Sequence, residues 1–144
     1  ATGMAAVTAS MLGQLKAERW RAIAREASEQ CERLWLPQVA DPQPARQALA
    51  AAAGPQSLRL GATTRRAGLA SLQEVLQQQR LDAPPAALWL ACGPEGGWSD
   101  GEEAVAEQQG WIPVALGPRI LRSSTAAVSA LTLVSSWRHG CWSC

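Results

Sequence analysis

Ala86-Ala-Leu-Trp-Leu-Ala-Cys92 is an unbroken apolar run of seven residues, and Gly93-Pro-Glu-Gly-Gly97 follows it at once. A run this short and continuous suits a strand buried on both faces, and such strands belong to parallel sheets covered by helices. The glycine-rich segment must then be a loop. Ser99 and Glu102 have the spacing of a capping box and open a helix to about residue 109.

The same alternation runs through the chain. Leu15, Trp20, Ile23, Ala24, Ala27 and Cys31 recur at three- and four-residue steps, which predicts a helix over 14–31. Leu34-Trp-Leu-Pro37 is expected to be a short buried strand. Asp41 is placed to cap a helix through the alanine-rich 45–53, which Gly54-Pro55 ends. Ser57-Leu-Arg-Leu60 alternates like a strand, and a helix is expected over 68–80. Ile112 to Leu116 is another strand, Gly117 to Ser124 a loop, and 125–137 an apolar helix. Strands alternating with helices define an α/β fold with a mainly parallel sheet. At 144 residues this is one domain, with 1–13 as a flexible lead-in and 139–144 as a tail.

Charge excludes little. Thirteen Lys+Arg against twelve Asp+Glu leave a net +1, so no strong field points to nucleic acid or membrane. All the basic residues but Lys16 are arginine, the side chain suited to phosphate and carboxylate forks. No run of about 18 apolar residues appears, so no membrane helix is expected. The start ATGMAAVTAS lacks the basic opening of a secretory signal. A soluble, cytoplasmic protein is expected, with buried, reduced thiols at Cys31 and Cys92. Cys141-Trp-Ser-Cys144 is a lone CxxC at the end of the chain. Redox chemistry normally places that motif at a helix start. With His139 before it zinc would still need a fourth ligand, while neither Cys31 nor Cys92 belongs to a second pair, so an incidental tail is favoured and no metal is expected.

Two loops carry the chemistry. Gly93 to Gly97 follows the central strand, where open α/β sheets bind ligands, and its glycines let backbone approach a ligand closely. It is neither GxGxxG nor a Walker loop, which argues against a triphosphate site. Leu116-Gly-Pro-Arg-Ile-Leu-Arg-Ser-Ser-Thr-Ala126 also lies between a strand and a helix, so both loops should meet at one end of the sheet. Either loop alone also reads as an ordinary turn or a Ser/Thr helix cap.

Together they are more specific. Leu90-Ala-Cys-Gly-Pro-Glu-Gly-Gly-Trp-Ser99 and Leu116-Gly-Pro-Arg-Ile-Leu-Arg122 resemble the bacterial 16S rRNA uridine methyltransferases of the RsmE type, in the SPOUT superfamily. Glu18-Arg-Trp20, Glu26-Ala27, Glu29-Gln30, Arg33 and Pro37 match that family's earlier helix and the strand after it. The resemblance implies a deep trefoil α/β knot over 14–138 and a homodimer. It also implies S-adenosylmethionine held by Leu90, Gly93, Pro94, Glu95, Gly96, Gly97, Leu116, Gly117, Ile120, Leu121 and Thr125.

The implied reaction puts a methyl group on the uridine nitrogen N3 of 16S rRNA in the small ribosomal subunit. Arg122 is the candidate for stabilising the uracil anion, with Gln30, Arg33 and Arg119 for holding base or phosphate. Glu95 is not taken as the general base. Three departures stand out. Ser124 replaces a family glutamate, Gly61 stands where many members have histidine, and the family's N-terminal barrel and first strands of the methyltransferase domain are not matched. A knotted binding or dimerisation module without catalysis is the alternative.

Overall fold

A computed structural model describes residues 4–8, 14–51, 54, 56–63, 66–79 and 85–142. The chain forms two compact units, one of Ala45–Cys144 with Ala1–Ala9, the other Ser10–Pro44.

The larger unit is built on four strands: β1 (Met4–Thr8), β2 (Ser57–Ala62), β3 (Ala87–Cys92) and β4 (Ile112–Val114). Their order across the sheet is β1-β3-β2-β4, and every pair is parallel. Met4–Thr8 lies within the segment expected to be a flexible lead-in. It pairs instead with β3, Met4 opposite Leu88 through Thr8 opposite Cys92, so a strand does precede the first helix.

The apolar run thus becomes an inner strand covered on both faces, for the reason the sequence suggests. Leu88, Leu90 and Cys92 join Leu58, Leu60 and Ala62 of β2 in one core. The helices α3 (Leu72–Gln78) and α5 (Ser123–Trp142) close it through Leu72, Val75, Leu76, Ala130 and Val134. On the opposite face Ala91 clusters with Leu49 of α2 (Ala45–Ala51), with Trp111, and with Val105 and Ala106 of α4 (Asp100–Gln108). Each fully buried leucine here contributes about 1.5–3 kcal/mol through removal of apolar surface from water.

Two capping boxes fix helix starts on this frame. The Glu102 carboxylate accepts from the Ser99 backbone N–H and hydroxyl, both at 2.8 Å, as the spacing predicts. Ser71 and Glu74 form the second, with the Ser71 N–H donating to Glu74 at 2.7 Å and the Glu74 N–H to Ser71 Oγ at 3.2 Å. That box starts α3 at Leu72 rather than at 68. At the other end of the unit α5 runs to Trp142 and takes up most of the expected tail; residues 143 and 144, Cys144 included, lie outside the described residues.

The smaller unit holds α1 (Gln14–Gln30) and the segment after it. A Schellman motif ends α1: the Arg33 N–H donates to Ser28 O at 2.9 Å and the Glu32 N–H to Glu29 O at 3.1 Å. Glu32 sits at the left-handed position, with φ 51°. The reversal turns the chain into an irregular segment, and Leu34-Trp-Leu36 is not the buried strand expected. Those side chains are 93%, 80% and 57% exposed. No strand among the described residues pairs with this three-residue apolar run before a proline. Cys31 is also exposed, contrary to expectation, while Cys92 is buried. Asp41 does not cap α2; its carboxylate accepts from Arg21 Nη2 at 2.5 Å, beside an Arg21 Nε bond to Val39 O at 3.1 Å.

Candidate cofactor site

Parallel strands all end on one side, so the loops after β2, β3 and β4 converge there. Gly93, Pro94, Glu95 and Gly97 after β3, Ala62 and Thr63 from the end of β2, and Leu116, Ile120 and Leu121 after β4 line one cavity of about 30 Å³. Trp98 and Ala126 complete its wall. A larger cavity of about 420 Å³ shares Thr63 and Ile120 with it and is lined further by Arg66, Ser71, Glu74, Gly117, Pro118 and Arg119. The narrow space takes no more than a water-sized group, while the wider one has room for a nucleoside-sized molecule.

Local sequence explains the shape. The Gly97 N–H donates to Pro94 O at 2.8 Å and closes the turn, with Gly97 at φ 83°. Trp98 then folds back, its indole Nε1 donating to Ala62 O at 3.0 Å, which ties the β3 loop to the end of β2. A side chain at residue 93 would stand 2.9 Å from that indole nitrogen, so only glycine fits under the ring. Gly117 adopts φ 126°, which shapes the second loop.

Charge divides between the cavities. Glu95 is the carboxylate on the narrow one, whereas Arg66 and Arg119 line the wide one, with Arg66 Nε 3.5 Å from Glu103. The Ser71 N–H first, and its hydroxyl second, hold the Glu74 carboxyl below its ordinary pKa, so it too is charged at neutral pH. Thr63 lines both cavities, and its buried hydroxyl has no hydrogen-bond partner among the described residues. An orphaned polar atom in a cavity wall is what a polar ligand would satisfy.

The expected site residues fall into groups. Gly93, Pro94, Glu95, Gly97, Leu116, Ile120 and Leu121 are brought together on the narrow cavity, and Gly117 and Arg119 on the wide one. Leu90 is buried in the core, 2% exposed, and lines neither. Gly96 and Thr125 are exposed outside both linings. Arg122 is exposed as well and lines neither cavity; its carbonyl accepts the Ala126 N–H at 2.8 Å at the start of α5. Gln30 and Arg33 are exposed in the smaller unit. Thr63, Arg66 and Trp98 are the residues the sequence reading missed. Trp98 lay inside the quoted motif; Thr63 had no signal beyond following a strand. Among the described residues no group of three or more His, Cys, Asp or Glu is placed to hold a metal, and Cys141 is exposed on α5.

A parallel sheet with a glycine-lined, partly apolar cavity at its strand ends is the arrangement in which α/β proteins hold ligands. Residues 5–135 match the model of the RNA methyltransferase domain, and the chain belongs to that family. It is 46% identical over 123 residues to ribosomal RNA small subunit methyltransferase E of Synechocystis sp., covering 85% of this chain and 39% of that protein. The Bacillus subtilis protein of the same name is 34% identical over 130 residues, covering 83% and 46%. The chain therefore spans less than half the length of these curated relatives. Among solved structures, a Legionella pneumophila protein in complex with SAM superposes with a TM-score of 0.70 at 31% identity, over 85% of this chain and 46% of that one. Ribosomal RNA small subunit methyltransferase E from Neisseria gonorrhoeae, bound to S-adenosyl methionine, gives 0.66 at 29%, over 89% and 48%.

Proposed function

We propose that this chain is the cofactor-binding part of an S-adenosylmethionine-dependent rRNA methyltransferase that modifies N3 of a uridine in 16S rRNA. The observation that carries the reading is the convergence of the Gly93–Gly97 loop, the 116–121 loop and the end of β2 on one cavity at the strand ends. Membership of the family and the SAM-bound neighbours support it.

The residues fit the cofactor. The nucleoside is sized for the wide cavity, where Ile120 offers apolar surface to an adenine ring and Thr63 carries an unused hydroxyl, while Leu116, Leu121 and the Glu95 carboxylate line the adjoining narrow space, which admits only a small group. Arg66 and Arg119 line the same wide cavity and are placed to meet the cofactor's carboxylate or an RNA phosphate. When bound, S-adenosylmethionine supplies an electrophilic methyl group on a sulfonium. The protein's part is to align a uracil nitrogen with that methyl and to stabilise the charge left when the nitrogen loses its proton. Arg122, the last residue of the 116–122 loop, is the candidate for that stabilisation. Gln30 and Arg33 are candidates for holding base or phosphate. A trefoil knot and a homodimer belong to the same proposal, as does a cytoplasmic location, where the ribosomal substrate is.

The exposure of Arg122 outside both cavities, with Ser124 beside it on α5, favours a second reading: a cofactor-binding or dimerisation module whose catalysis needs more than this chain. Calorimetric titration with S-adenosylmethionine and S-adenosylhomocysteine tests the first half. Micromolar binding of either is expected, and a folded chain that binds neither refutes the site. Methyl transfer from labelled cofactor to small-subunit rRNA, mapped to the nucleotide, then separates the two readings.

A further inference from the structure

A third cavity lies on the face of the sheet covered by α2 and α4. Its volume is about 130 Å³, and Leu49, Gly61, Ala91, Ala106, Trp111 and Trp98 form its walls. It exists because three facing positions are small. Gly61 and Ala91 are paired neighbours on β2 and β3, and Ala106 stands on α4 above them. A Cβ at Gly61 would meet nothing closer than Ile112 O at 4.0 Å, so the gap is open space rather than a close approach of backbone.

The cavity is not uniformly apolar. Thr63, only 7% exposed, is one of its lining residues, and the buried Thr63 hydroxyl has no hydrogen-bond partner among the described residues. Arg66 and Glu103, 3.5 Å apart, and Glu107 edge it. An apolar cavity of about 150 Å³ holds one benzene ring. This one is slightly smaller and carries one hydroxyl able to donate or accept. We propose that it is a binding site for a compact monocyclic aromatic molecule bearing one hydrogen-bonding substituent, coupled to the cofactor cavity through Thr63 and Trp98, which wall both. The ring fills the space left by the small residues at 61, 91 and 106, and its polar group satisfies Thr63 Oγ1. Since Trp98 is tied to Ala62 and lies over Gly93, a molecule seated against it biases the wall of the cofactor cavity. The coupling rests on the cofactor reading; the binding does not.

Phenol is the probe, with binding to the whole chain measured by ligand-observed NMR. Saturable millimolar binding is expected, weakened at least tenfold by Gly61→Val and by Ala106→Leu, which fill the cavity from opposite walls. Both variants should fold and melt at or above the parent temperature, so either can stand if the other fails. The absence of saturable binding to the parent, or undiminished binding to the folded variants, overturns the site. Titration of S-adenosylhomocysteine with and without saturating phenol should show at least a twofold change in affinity. An unchanged affinity overturns the coupling alone. Phenol binding by a chain that does not bind S-adenosylhomocysteine would sink the cofactor reading and leave the phenol site standing.

Discussion

Replacing Gly93 with alanine sets a methyl carbon 2.9 Å from Trp98 Nε1, 3.0 Å from Cε2 and 3.2 Å from Cδ1. Ordinary contact begins several tenths of an ångström further out, and the obstacle is a rigid ring rather than the end of a flexible chain. The indole must move, and its 3.0 Å bond to Ala62 O moves with it. A lost hydrogen bond of this kind costs about 1 kcal/mol, and overpacking of a fitted site costs about 1–3 kcal/mol more. A total near 3 kcal/mol in a domain of this size lowers the melting temperature by about 6–12 °C. Thermal denaturation followed by circular dichroism measures it directly. Trp98→Phe removes both the donor and much of the obstructing ring, so Gly93→Ala should cost less than half as much in that background, a coupling above about 1 kcal/mol. A Gly93→Ala variant melting within a degree of the parent, or equal costs in the two backgrounds, would refute the wedge between the β3 loop and the end of β2.

Other consequences are smaller. Glu32 holds a left-handed conformation that costs an L residue about 1–2 kcal/mol, so Glu32→Gly should raise the melting temperature by about 1–4 °C despite glycine's unfolded-state entropy. Burial raises the Cys92 thiol pKa, so an alkylating reagent at neutral pH should modify Cys31 and Cys141 and spare Cys92 until denaturant is added, as read by peptide mass mapping. The Glu74 carboxyl is held below its ordinary pKa by Ser71, so its stabilising effect is present above the unfolded pKa and lost as pH falls through the folded one. The melting-temperature gap between parent and Glu74→Gln should accordingly close in acid, and a gap that persists there would contradict the capping box as its source.

The sheet was legible because its signal is local. Seven apolar residues in a row, bounded by Pro84-Pro85 and Gly93-Pro94, are too short for a buried helix and suit a strand covered twice, and β3 is an inner strand with helices on both faces. The capping box at Ser99 was equally local. Leu34-Trp-Leu36 misled for the opposite reason: apolarity without a pairing partner does not make a strand, and the left-handed Glu32 turns the chain away just before it. The two loops could be placed at one end of the sheet from the alternation of strand and helix, yet Thr63 could not. Its importance comes from an unpartnered buried hydroxyl, which depends on neighbours from β4 and from two loops distant in sequence. Arg122 shows the limit of motif reading. Its position after the loop is as expected, while its exposure is set by where α5 begins.

The glycines of the two loops are glycine for different reasons, and the difference yields a test of what the cavity holds. Gly93 is required by Trp98, a contact within the protein. Gly117 is required by its φ of 126°, a conformation that costs a substituted residue about 1–3 kcal/mol whatever fills the space. Gly96 meets neither condition, since a Cβ there touches nothing within 4 Å and its backbone is not in the left-handed region. A side chain at 96 can therefore obstruct only something the protein itself does not contain. Gly96→Val should melt with the parent, within about 0.5 kcal/mol, and yet bind S-adenosylhomocysteine at least tenfold more weakly if the ligand runs along the backbone of the whole Gly93–Gly97 loop. Parental affinity in that variant would confine the contact to Gly93, Pro94, Glu95 and Gly97, the four residues whose surfaces already face the cavity.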